Sequence, residues 1–123
     1  MSNQGPVLIG IRGVVQGELF PLAYGKAAVL GRSRSCDFSI RNCKRWVEKE
    51  DAGQPTPETA RTVSRKHVKV TYHNAGSIEI EDLSSNGTFV DGKRIDRVIL
   101  TDLKETPHQI QLGGGEVFRL EWR

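Results

Sequence analysis

Cysteine, aromatic side chains, long apolar runs and charge of one sign are all scarce in this chain. Two cysteines, Cys36 and Cys43, are the whole supply in 123 residues. That is too few for a disulfide framework or a zinc set, so free thiols and no bound metal are the expectation. Aromatic residues make up 7% and show no cluster on which bases could stack. The formal net charge is only +3, from 18 basic and 15 acidic side chains, a smaller excess than duplex-binding modules usually carry. Nucleic acid is therefore not an expected partner. No stretch approaches the roughly 20 apolar residues of a membrane-spanning helix. Met1–Pro6 shows no basic region followed by an apolar run. With free thiols, these absences make no membrane and a cytoplasmic location the expectation.

What is present is a single domain's worth of chain, 37% hydrophobic and 27% charged, long enough to bury a core unaided. Thirteen glycines favour tight turns over long helices. Short runs of alternating polarity recur, each closed by a turn signal. Val68, Val70 and Tyr72 alternate with Lys69 and Thr71; Ile78 and Ile80 alternate with glutamates; Phe118, Leu120 and Trp122 repeat the pattern. Thr88–Val90 faces Lys93–Ile95 across Asp91-Gly92, a strong two-residue hairpin signal. About ten such strands at close spacing predict an all-β sandwich or barrel.

One segment, Arg41–Thr62, breaks the rhythm. Asn42 is placed to cap a short helix running to Asp51, with Trp46 and Val47 as its apolar contacts and Ala52-Gly53 as its end. Gln54–Thr59 reads as an exposed connection.

Three motifs at strand ends carry the chemistry: Leu30-Gly31-Arg32-Ser33, Val63-Ser64-Arg65-Lys66-His67 and Asp82-Leu83-Ser84-Ser85-Asn86-Gly87-Thr88. An arginine fork, a hydroxyl and nearby loop amides together can hold a phosphate. The amide of Asn86 offers both donor and acceptor, which suits an extended peptide backbone. Ser64 and His67 do not make a catalytic pair: no nucleophile elbow and no orienting acid accompany them. The chain is therefore not expected to be an enzyme or to need a cofactor.

Gly31-Arg32, Ser64-x-x-His67 and Asn86-Gly87-Thr88, in that order and strand context, resemble the forkhead-associated (FHA) domain family. The resemblance implies a two-sheet β-sandwich of about 11 strands, FHA/SMAD-like, over residues 6–123, after a disordered tail of residues 1–5. It implies a phosphothreonine-dependent module that reads the output of a Ser/Thr kinase. On this resemblance Arg32 and Ser64 bind the phosphate, Arg65 adds a contact, and Asn86 with Ser85 grips the peptide main chain. Thr62 sits near where the family tunes residue preference, while Gly31, His67 and Gly87 hold the loops in shape. A phospho-independent assembly module on the same fold is the alternative. The 41–62 insertion departs from the family's short connection, and three placements are open for it: extending the groove, covering it, or facing away.

Overall fold

The computed structural model describes residues 4–123. Its eleven strands among the described residues are β1 (Pro6–Arg12), β2 (Leu19–Pro21), β3 (Ala27–Gly31), β4 (Phe38–Ser39), β5 (Val68–Asn74), β6 (Ser77–Asp82), β7 (Thr88–Val90), β8 (Lys93–Ile95), β9 (Arg97–Leu100), β10 (His108–Leu112) and β11 (Glu116–Trp122). They pair into a six-stranded sheet, β2-β1-β11-β10-β7-β8, and a five-stranded sheet, β4-β3-β5-β6-β9. The expected all-β sandwich is what forms. Alternation explains it: on β5, Val68, Val70 and Tyr72 are buried while Lys69 and Thr71 are half-buried on the other face.

The core lies between the sheets. Leu8, Ile110, Leu112, Phe118 and Leu120 from one sheet meet Leu30, Val68, Val70, Ile78 and Ile80 from the other, each no more than 1% exposed. Burying each such side chain stabilises the fold by about 1.5–3 kcal/mol. Asp91 and Gly92 both take positive φ, 51° and 83°, as a type I′ turn requires, and they join β7 to β8 in the predicted hairpin. The expected tail spans residues 1–5; residues 1–3 lie outside the described residues, and Gly5 exchanges backbone hydrogen bonds with Arg123 at 2.6 and 2.8 Å.

The insertion forms a 3-10 turn at Ile40–Asn42, a helix α1 (Lys44–Asp51) and a second 3-10 turn at Glu58–Ala60. Asn42 does not cap α1. Buried Ile40 draws the chain from β4 directly into the 3-10 turn, and Asn42 is used up within it. The cap position of α1 falls to Cys43, which makes no side-chain capping bond, while Ser39 accepts the Arg41 N–H at 3.3 Å and caps the 3-10 turn. Trp46 is buried, but Val47 is 41% exposed, contrary to its expected packing role. Neighbouring positions on a helix lie about 100° apart, and here Trp46 takes the inward direction while Val47 turns toward solvent. The helix ends at Ala52, with Gly53 at φ 70° receiving the chain reversal. The insertion is thus part of the core, through Trp46, Ala60 and, just beyond it, Val63.

Both thiols are buried and free. Burial pushes Cys43 up to about 12, helped by Glu18 and Glu116, and raises Cys36 as well. At both residues burial thus favours the thiol over the thiolate, the reactive form.

Candidate functional site

The three motifs converge at one end of the sandwich, and backbone bonds rather than charges tie them together. Arg32 N–H donates to Ser64 O at 3.0 Å and Ser33 N–H to Arg65 O at 3.0 Å, so the first motif runs against the second. Gly31 makes that approach possible: a Cβ there would lie 2.2 Å from the Arg65 carbonyl oxygen.

His67 is the joint of all three motifs. It is fully buried. Its N–H donates to Leu30 O at 2.8 Å and its carbonyl accepts from Leu83 N–H at 2.8 Å. Its Nδ1 accepts from Ser64 N–H at 3.0 Å, which sets the tautomer, and Nε2–H then donates to Gly87 O at 2.8 Å. Burial lowers its pKa, against the pull of Gly87 and Asp82, so the neutral form that this geometry needs is the stable one. Both ring nitrogens of His67 are thus committed to the scaffold.

The third motif is templated by Asp82. Its Oδ1 accepts from Ser84 N–H, Ser84 Oγ–H and Thr88 Oγ1–H at 3.0, 2.6 and 2.8 Å. Burial opposes the charge on Asp82, but these bonds outweigh it and keep the carboxyl below its ordinary range. Ser84 Oγ in turn accepts from Gly87 N–H at 2.8 Å, closing the loop that presents Ser85 and Asn86, both exposed.

Each polar group at this rim keeps spare capacity. Ser64 Oγ accepts from Ser85 N–H at 3.2 Å, which leaves its own O–H to donate. Asn86 Nδ2 donates to Thr62 O at 3.1 Å, which leaves its carbonyl and a second N–H for a ligand. Thr62 is anchored on the far side, where its Oγ1 accepts from Gly114 N–H at 2.7 Å.

Beside these groups is a cleft of about 370 Å³ lined by Arg32, Ser33, Arg34, Arg41 and Arg65. Among the described residues, the guanidinium groups of Arg32 and Arg65 have no carboxylate partner. Arg34 and Arg41 are absent from the residues expected from sequence. Arg34 repeats the Arg-Ser step of Arg32-Ser33 and was legible as a continuation of that motif. Arg41 opens the insertion, and nothing local marks it. Of the three placements open for the insertion, its first residue extends the cleft wall.

A family model for the FHA domain matches residues 28–113. The solved FHA domain of protein CT664 from Chlamydia trachomatis is similar to this chain, with 24% identity over 94% of this chain and 95% of that one, at a TM-score of 0.68. An FHA domain of an Arabidopsis thaliana protein shows 21% identity, covers 99% and 92%, and has a TM-score of 0.69. EmbR of Mycobacterium tuberculosis, solved with a low-affinity phosphopeptide, shows 24% identity over 94% of this chain and 24% of its own, at a TM-score of 0.63. No match was found among curated protein sequences. With its three motifs in place, its sandwich in the family's arrangement and the family model spanning most of its length, the chain belongs to the FHA domain family.

Proposed function

We propose that this domain is a non-catalytic, phosphothreonine-dependent peptide-binding module that reads the product of a Ser/Thr kinase. One observation carries this reading: the free guanidinium groups of Arg32 and Arg65 line one cleft, on loops that backbone bonds lock to Ser64. A phosphothreonine brings a charge of about −1.5 to −2 and three acceptor oxygens. Arg32 and Arg65 meet the charge, and the Ser64 O–H donates to a phosphate oxygen. Asn86 engages the peptide main chain through its unused carbonyl and N–H, with Ser85 beside it. Thr62 acts on residue preference through its hold on Asn86.

Each charge-assisted bond contributes about 1.5–3 kcal/mol, so an unphosphorylated threonine forfeits most of the affinity. The rim is already ordered by His67 and Asp82, which reduces the entropy lost on binding. The similarity to EmbR, which was solved in complex with a low-affinity phosphopeptide, supports the reading. Calorimetry with a degenerate phosphothreonine peptide pool and its dephosphorylated twin tests it. Binding of the phosphorylated pool alone is expected. Equal binding of both pools would move the assignment to a phospho-independent assembly module.

A further inference from the structure

The cleft holds more positive charge than one phosphate uses. Four arginines line it, Arg32, Arg34, Arg41 and Arg65. If Arg32, Arg65 and Ser64 serve the phosphothreonine, Arg34 and Arg41 are surplus. The surplus is built rather than incidental. Arg41 lies on the 3-10 turn after β4, half-buried, with its guanidinium carbon 5.4 Å from the ring centre of Trp46. Trp46 is buried on α1 and donates its indole N–H to one oxygen of Glu50 at 3.3 Å. The other oxygen of Glu50 pairs with Arg34 at 3.6 Å. Two side chains of the inserted helix therefore hold both extra arginines at the cleft.

The hold leaves both arginines available. The cation–π contact with the indole uses no N–H of Arg41, and its side chain makes no hydrogen bond or ion pair among the described residues, so the guanidinium fork stays free to meet a carboxylate or phosphate with two bonds. Both partners of the Arg34–Glu50 pair are more than half exposed, so a better anion readily displaces Glu50. A second hollow, of about 60 Å³, shares Arg41 and Glu50 with this network and adds the ammonium of Lys49 to its wall.

We propose that the inserted helix provides a second anion subsite at Arg34 and Arg41. The preferred partner is then a peptide that carries a further anionic residue, a phosphate or a carboxylate, near its phosphothreonine. This rests on the reading of Arg32, Ser64 and Arg65 as the phosphate site.

The test uses degenerate phosphothreonine pools in which a phosphoserine, a glutamate or an alanine is walked from about three residues before the phosphothreonine to about three after, a reach of roughly 10 Å on either side. At one or two positions the anionic pools are expected to bind about tenfold tighter than the alanine pool, the gain of one charge-assisted contact. Phosphoserine and glutamate arms distinguish the two sources of charge. Arg34→Gln and Arg41→Gln should remove this gain while changing the alanine pool by less than about twofold, with melting curves confirming the fold. Glu50→Gln should enlarge it. A gain at no position overturns the second subsite and leaves the phosphothreonine reading intact. Equal losses for anionic and alanine pools in R34Q and R41Q also overturn it, because both would then be ligands of the single phosphate. No binding by any phosphorylated pool overturns both readings.

Discussion

Two groups of charged side chains on this domain are organised in opposite ways. On the five-stranded sheet, Glu79 of β6 accepts from Arg97 of β9 at 2.5 Å and from His73 of β5 at 2.7 Å. Those hydrogen bonds, Arg97's first, bring its carboxyl down to about 2. On β11, Glu121 is flanked by Arg119 and Arg123 at 2.8 and 3.2 Å. These cations have their anions within the fold. At the loop end, four guanidiniums share one cleft and Glu50 is the carboxylate paired with them among the described residues. Charge that is matched internally asks nothing of a partner. Arg32 and Arg65, set on a concave rim and held there by neutral bonds from His67 and the loop backbones, have no carboxylate partner among the described residues and are left to meet an anion from outside.

Removing one member from each group tests the contrast most strongly. Arg32→Ala should weaken phosphothreonine-peptide binding by about 3 kcal/mol or more, over a hundredfold, because two charge-assisted bonds are lost. Its melting temperature should stay near that of the parent. Arg97→Ala should leave the affinity unchanged; calorimetry and thermal melts on both variants decide it.

The scaffold side of the contrast can be broken at Gly31. Gly31→Ala pushes a Cβ against the Arg65 carbonyl and forces the first two motifs apart. A stability loss of about 1–3 kcal/mol in urea unfolding is expected, with loss of phosphopeptide binding alongside. A variant that keeps both would show that the close approach is dispensable. A smaller change comes from the ligand: replacing phosphothreonine with phosphoserine removes one methyl, worth about 0.8 kcal/mol or fourfold in affinity when buried, and more if a void is left.

The smallest effects lie in pH dependence, where two histidines have opposite signs. His67 has a lowered pKa in the fold, so its contribution is full above its unfolded value near 6.5 and declines as pH falls from there through the folded value. His108 bonds Asp91 and Asp102 at 2.6 and 2.7 Å. Burial works against its charge, but the two carboxylates outweigh it and raise its pKa. Its contribution is full below about 6.5 and is lost as pH rises through the raised folded value. His108→Gln should therefore flatten the stability curve above about pH 6.5 and leave the decline just below 6.5, where His67 acts, unchanged, while at more acid pH it also removes part of what holds the Asp91 carboxyl below its ordinary range.

Much of this was legible in the chain itself. Period-two alternation in Val68-Val70-Tyr72 and Ile78-Ile80 marked strands because each strand buries one face, and Asp91-Gly92 marked a hairpin because both positions need positive φ. Arg32, Ser64, Arg65 and Asn86 stood out because their three motifs combine an arginine fork, a hydroxyl and an amide at strand ends, and the fold brings those strand ends together. What stayed hidden depends on distant packing. Whether Asn42 or Ser39 caps a turn depends on the burial of Ile40. The bond from Gly114 N–H to Thr62 joins residues 52 apart in sequence. Arg41 reaches the cleft because Trp46, rather than Val47, faces the core, and neither local pattern nor spacing distinguishes those two.

The most direct measurement of the central contrast is an NMR titration following the arginine Nε–Hε resonances with the degenerate phosphothreonine pool and with its dephosphorylated twin. Shifts at Arg32 and Arg65 with the phosphorylated pool alone, while Arg97 and Arg119 stay fixed, are the predicted result. Shifts of equal size with both pools, or none at Arg32, would contradict the account.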